Sequence, residues 1–203
     1  MNNKDIFEII REHNESYLLK MIEQGIEINS HMPNPPFWTP LQEAIDEMDD
    51  GGKIEMVQLL IQAGADVNAW NLDHDSNPLL MAMWSGHEDI VSLLLKAGAN
   101  PNIKDNEGNS PLRLSVEEEN IEMVKLLLSH GAKETIDETG GFGGMNALGI
   151  AVNKLNIPII KILLAEDADP EATDNDYRKP IERLPKNVDS SKKEEIENLL
   201  ASY

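Results

Sequence analysis

The stretch "GHEDIVSLLLKAGANPN", residues 86–102, decides the fold, because close variants of it recur along the chain. They read "EMVQLLIQAGADVN" at 55–68, "EMVKLLLSHGAKET" at 122–135 and "PIIKILLAEDADPE" at 158–171. A second marker runs in phase: Thr39-Pro40-Leu41, Asn77-Pro78-Leu79, Ser110-Pro111-Leu112, Asn146-Ala147-Leu148 and Lys179-Pro180-Ile181. Its steps are 38, 33, 36 and 33 residues. Two markers in phase define an internal repeat rather than a chance likeness.

Each unit has readable physics. Thr, Asn or Ser before Pro offers an N-cap oxygen, and Pro at the first helical position loses no useful donor, so each marker starts a short helix. A second helix follows, with apolar residues such as Val91, Leu93, Leu94 and Leu95 too dense for one exposed face. It closes at Gly64, Gly98 or Gly131, where a left-handed residue suits glycine; Asp167 takes that place in the next copy, and Asp tolerates the conformation better than most. The last stretch, "SKKEEIENLLASY", reads as a terminal helix with a serine cap, Lys and Glu on one face, and Ile196, Leu199 and Leu200 on the other.

On these residues the chain resembles the ankyrin-repeat family, whose units read roughly "G-x-TPLHxAxxxGHxxIVxLLLxxGADVNA". The match is close over 37–172, with "YLLKMIEQGIEIN" as a degraded first copy and 178–203 as a terminal copy. The resemblance implies an all-α solenoid of about six helix-turn-helix repeats, with finger hairpins projecting to one side and a concave groove lined by fingers and first helices. The expected units within a single domain, 1–203, are an N-terminal cap 1–36, repeats 37–76, 77–109, 110–145 and 146–178, and a C-terminal cap 179–203. The family's "TPLH" histidine is replaced by Gln42, Leu80, Arg113, Gly149 and Glu182, which implies modest stability or an unusual network between repeats. Two steps exceed ~33 residues; the excess is expected in "DEMDDG", 46–51, and in "DETGGFGGM", 137–145.

Composition narrows the function. The chain has 203 residues, 40% of them hydrophobic, enough for a substantial core, and no apolar run approaches the ~18 residues of a membrane helix. Cysteine is absent, which removes disulfides, thiolate metal sites and thiol nucleophiles and suits a reducing compartment; the expected location is cytoplasmic. A formal net charge of −20, from 37 acidic and 17 basic residues, argues against nucleic acid and anionic membranes as partners. It favours a basic protein surface, or serves solubility alone.

No catalytic constellation emerges. "GGFGG", 140–144, has no lysine and follows a helix rather than a strand, so it is a long, mobile finger and not a phosphate loop. His13, His31, His74, His87 and His130 are scattered through different units, and "HEDI" lacks the second histidine of a zinc helix. Glu117-Glu118-Glu119 lacks the alternating ligands and glycine of a calcium loop. No cofactor or metal is expected.

The aromatic residues number nine. The family pattern puts Phe37, Trp38, Trp70, Phe142 and Tyr177 on fingers and Trp84 on the groove-facing end of a first helix. Exposed Trp and Tyr give large, stiff contact area at low entropic cost. At positions the family varies lie Asp73, His74, Asn106, Glu107, Asn109, Glu117, Glu118, Asn153 and Lys154. The expectation is a monomeric, non-enzymatic protein that grips a basic protein partner, with an immunity or antitoxin-like neutraliser as the favoured role. A scaffold or regulatory adaptor and a host-directed effector are the alternatives.

Overall fold

The structure, a computed structural model, describes residues 5–203; residues 1–4 of the expected N-terminal cap lie outside that range. Among the described residues all regular structure is helical. The helices pair along the chain: α1 (Ile6–Arg11) with α2 (Glu15–Glu23), α3 (Pro40–Asp46) with α4 (Ile54–Gln62), and α5 (Pro78–Trp84) with α6 (Glu88–Lys96). Then come α7 (Pro111–Glu117) with α8 (Ile121–Ser129), α9 (Ala147–Asn153) with α10 (Ile157–Ala165), and a 3-10 helix, Pro180–Arg183, with α11 (Ser190–Ala201). The pairs sort into two compact units, one running to Asn100 and the other spanning Pro101–Tyr203.

Local chemistry sets each boundary. Thr39, Asn77, Ser110 and Asn146 all cap their helices, their side chains accepting from the backbone N–H of Gln42, Leu79, Arg113 and Gly149. At Thr39 the Gln42 side chain also accepts from the Thr39 N–H, completing a capping box. The 3-10 helix stops where Leu184 turns extended ahead of Pro185, since the residue before proline is steered out of the helical region. The terminal helix is capped by Asp189 rather than a serine: its carboxylate accepts from Lys192 N at 2.9 Å, so the helix starts earlier and Ser191 falls inside it. Ile196 and Leu200 of that helix are buried and Leu199 is half-buried.

The second helices close on left-handed residues. Gly25, Gly64, Gly98 and Gly131 have φ between 81° and 95°, and Asp167 has φ 70°. Replacing Asp167 by glycine removes that strain at an exposed side chain, so Asp167→Gly is expected to raise stability by about 0.5–1 kcal/mol in urea melts. The core runs down the middle of each unit: Ile9, Leu18, Ile45, Leu60, Leu79 and Leu94 in the first, Leu112, Leu127, Leu148 and Leu163 in the second, all shut off from solvent.

The first excess of length is where the sequence places it, as a 3-10 turn at Glu47–Asp50 closed by Gly51 at φ 93°. The second is mostly elsewhere. Asp137 takes the bonding role that Asn68 has in an earlier copy, yet it stands six residues after the closing glycine instead of four. Two of the three extra residues are therefore absorbed by a 3-10 helix, Ala132–Thr135, which buries Ala132, Thr135 and Ile136.

Candidate functional site

The fingers are built by short side chains that bond to their own backbone. Asn71 Oδ1 accepts from Asp75 N and Ser76 N at 3.0 and 3.2 Å; Asp105 Oδ1 accepts from Glu107 N and Asn109 N; Asp174 Oδ1 accepts from Asp176 N and Arg178 N. Each turn also closes through a backbone pair, Met32 to Trp38, Asn71 to Ser76, Asp105 to Asn109 and Asp174 to Arg178. Near the tips the chain adopts a left-handed conformation, at Phe37, His74, Gly108 and Tyr177. Only the third is glycine, so three of these turns hold a ring-bearing residue in a conformation that disfavours it.

Within each unit a ladder of short polar side chains ties successive finger bases. Asn29 donates to Gly64 O at 3.1 Å and accepts from Asp66 N at 2.8 Å; Asn68 donates to Gly98 O and accepts from Asn100 N at the same two distances. In the second unit Asn102 donates to Gly131 O at 2.8 Å, and Asp137 accepts from Asp169 N at 2.9 Å. Burial pushes the Asp137 carboxyl above its ordinary range, partly offset by that bond. The lost "TPLH" histidines are replaced in two units: Gln42 Nε2 donates to Ser76 O at 3.1 Å, and Arg113 Nε donates to Met145 O at 3.0 Å. Of the two implications of that departure, the structure contains the network between repeats.

The glycine-rich finger is packed, which corrects the expectation of a mobile loop. Gly141 N donates to Glu107 O at 2.8 Å, and Gly144 O accepts from Asn175 N at 3.1 Å. A Cβ on Gly140 would sit 2.6 Å from the Gly108 carbonyl carbon, and one on Gly144 would sit 2.7 Å from Asn175 Cβ. At Gly140 and Gly144 the neighbouring fingers leave no room for a side chain, whereas Gly143 is not crowded in this way. Phe142 nevertheless projects from this finger fully into solvent, at 108% relative exposure.

None of the three tryptophans is buried: Trp38 and Trp70 are half-buried and Trp84 is 51% exposed. The first unit brings Trp38, Trp70, Asp73 and His74 onto two adjoining fingers, linked by Asn71 Nδ2 to Pro36 O at 3.0 Å and by His31 Nε2 to Trp70 O at 3.2 Å. Trp84 ends α5. In the second unit Asn106, Glu107, Phe142 and Tyr177 are exposed on three fingers, and Glu117, Glu118 and Asn153 are exposed beside the half-buried Lys154 at the ends of α7 and α9. Asn153 Nδ2 donates to Arg183 O at 3.0 Å. Asn109 departs from the expected set: it is only 6% exposed, donates to Asp105 at 2.9 Å and accepts from Arg113, because it braces its own finger from inside.

Sequence reasoning treated residues 46–51 as surplus length and missed what they carry. Asp46, Glu47, Asp49 and Asp50 gather at the end of α3, with His13 Nε2 3.0 Å from Glu47 and His87 Nε2 3.2 Å from Asp49. Nearby, Glu43 is buried against Arg11 at 2.5 Å; burial raises its carboxyl while Arg11 opposes the shift. The signal available was four carboxylates in five residues.

Comparison with known proteins fits this arrangement. The family model for ankyrin repeats (3 copies) matches residues 6–105 and again 79–174. The chain belongs to the ankyrin-repeat family. A crystal structure of an ankyrin repeat protein superposes with a TM-score of 0.73 at 28% identity, covering 98% of this chain and 96% of that one. Among curated proteins the chain is 33% identical over 156 residues to the nuclear factor NF-kappa-B p105 subunit of Gallus gallus, covering 74% of this chain and 15% of that protein. It is 30% identical over 137 residues to the human B-cell lymphoma 3 protein, covering 67% of this chain and 30% of that protein. The chain thus spans less than a third of either relative's length. Ankyrin repeats are in general protein-protein interaction modules and are typically non-catalytic. Among the described residues no helix is long and apolar enough to cross a membrane.

Proposed function

We propose that this ankyrin-repeat protein is a non-catalytic binder that holds a basic protein on its fingers and the ends of its first helices. The observation that carries the reading is the placement of its aromatic residues: all three tryptophans, Phe142 and Tyr177 stand outside the buried core, on fingers or at the end of a first helix. Asp73 and His74 are exposed on the fingers of the first unit, and Asn106, Glu107, Glu117 and Glu118 are exposed in the second. The net charge of −20 supports a basic partner, and within that class a cytoplasmic neutraliser occluding a basic toxin is the role we favour.

The test begins with affinity capture of the partner and its titration against variants. Trp38→Ala and Trp70→Ala are each expected to weaken binding tenfold or more. Wild-type affinity in both, with the fold intact, would remove these fingers from the contact. Phe142→Ala is expected to leave the melting temperature unchanged, because a fully exposed ring contributes nothing to the core; its effect on affinity reports whether that finger touches the partner. Association is expected to slow severalfold between low and physiological salt while dissociation changes less, as for electrostatically steered encounter. A salt-independent on-rate would remove the charge argument and leave the aromatic one.

A further inference from the structure

The acidic turn of the first unit is electrostatically misplaced for a purely structural element. Asp46 is the last residue of α3, and Glu47, Asp49 and Asp50 follow in the 3-10 turn. Four carboxylates therefore crowd the negative end of a helix dipole, where the dipole and each neighbour oppose another anion. Among the described residues no lysine or arginine pairs with any of them. His13 Nε2 is hydrogen-bonded to Glu47, His87 Nε2 lies 3.2 Å from Asp49 without making a hydrogen bond, and the exposed Asp46 and Asp50 have no cationic side chain among the described residues. Although the residue as a whole is open to solvent, partial desolvation of its carboxyl, with added repulsion from Glu47, Asp49 and Asp50, holds Asp46 above its ordinary range. The wider unit offers little relief, since the first hundred residues hold 17 acidic and 5 basic side chains.

Trp84 stands at the matching place of the next repeat. Both α3 and α5 begin on a proline and run seven residues, so Asp46 and Trp84 are the closing residues of helices in the same register. The two helices pack on each other, and packed helix axes lie roughly 8–10 Å apart. Half of the Trp84 surface is open to solvent. A flat cation between these positions gains from both sides: the indole face attracts it within about 6 Å, and the carboxylates accept its hydrogen bonds. Guanidinium suits this better than ammonium, because it stacks on an aromatic ring while its planar fork donates sideways.

We infer that Trp84 and the Asp46–Asp50 turn form one docking site for an arginine side chain of the basic partner. The site deepens the protein-binding reading and rests on it. It also gives a reason for the crowding: the partner's charge offsets the repulsion among the four carboxylates.

The test uses the full chain and an octa-arginine peptide, titrated by calorimetry at low salt. Saturable binding is expected, weakened at least fivefold by Trp84→Ala and at least fivefold by the pair Asp46→Asn/Asp50→Asn. Octa-lysine is expected to bind severalfold more weakly than octa-arginine. Thermal melts accompany the titrations, and the Asp46→Asn/Asp50→Asn variant is expected to melt no lower than the parent, so lost binding cannot be ascribed to unfolding. Wild-type binding by both variants overturns the site. So does an equal loss in a control, Glu194→Gln/Glu197→Gln, which removes two carboxylates from α11, since that outcome means diffuse charge attraction. Equal affinity for the two peptides overturns the choice of arginine. Partner capture with the Trp38 and Trp70 variants tests the parent reading separately, so either can fail alone.

Discussion

Gly140→Ala is expected to cost roughly 2–3 kcal/mol, the range for forcing atoms into packed space, and to lower the melting temperature by about 5–10 °C. A Cβ there would overlap the carbonyl of Gly108 and approach Asn109 N at 3.3 Å. Those are backbone atoms of a neighbouring finger, fixed by the Asp105 side chain and by the bond from Gly141 N to Glu107 O, so they cannot rotate aside. Gly143→Ala is the matched control. Its Cβ would meet nothing nearer than the flexible end of Met145, at 3.4 Å, and a change of a few tenths of a kcal/mol is expected. Circular dichroism melts of the two variants discriminate between a packed finger and a loose one. Equal, negligible effects would restore the mobile-loop reading of "GGFGG".

That finger shows why part of the molecule was legible in sequence and part was not. Helix starts and stops are local events: Thr39, Asn77, Ser110 and Asn146 cap through atoms within three residues, Gly64 and Gly98 turn left-handed at no steric cost, and Asp167 tolerates the same turn. Such features survive in any unit with the same few residues. The glycines of 140–144 depend instead on what stands beside them, and a run of glycine reads the same whether it is slack or crowded. Asn109 failed as a surface residue for a similar reason. Its position is one the family varies, but here Asn109 turns inward and bonds Asp105 and Arg113, and Ser76 at the same place one repeat earlier is buried as well. Asn29, Asn68 and Asn102 recur as one letter in the sequence, with Asp137 in that role later, yet what they do is join repeats within a unit, 37 residues apart for Asn29 and 32 for Asp137. The acidic turn was visible as composition, while its place beside the helix that Trp84 ends needed the packing of α3 on α5.

Arg113 gives the second large effect. Its Nε donates to Met145 O at 3.0 Å and its Nη1 donates to Asn109 Oδ1, so one side chain ties the cap of the next repeat to the base of its own finger. The residue is buried, and the cost of desolvation lowers its pKa while Glu117, Asp105 and Glu107 oppose that shift, which is how a charge is kept there. Arg113→Ala removes both donors and leaves two acceptors and a group of carboxylates without their cation; a loss of roughly 3–4 kcal/mol is expected. Gln42 shows what a smaller residue can do in the same register, donating to Ser76 O and accepting from Thr39 N. Arg113→Gln is therefore expected to recover the bond to Met145 O but not the charge, and to cost about half as much. The site of the damage can be read optically, since every tryptophan lies in the first hundred residues and Arg113 in the second unit. In urea titrations of Arg113→Ala, the far-ultraviolet signal of the whole chain is expected to begin falling at lower denaturant than the tryptophan fluorescence, which reports the first unit alone. If Arg113→Ala melts with the parent, or Arg113→Gln proves no better than alanine, the bond to Met145 is not what holds these repeats in register.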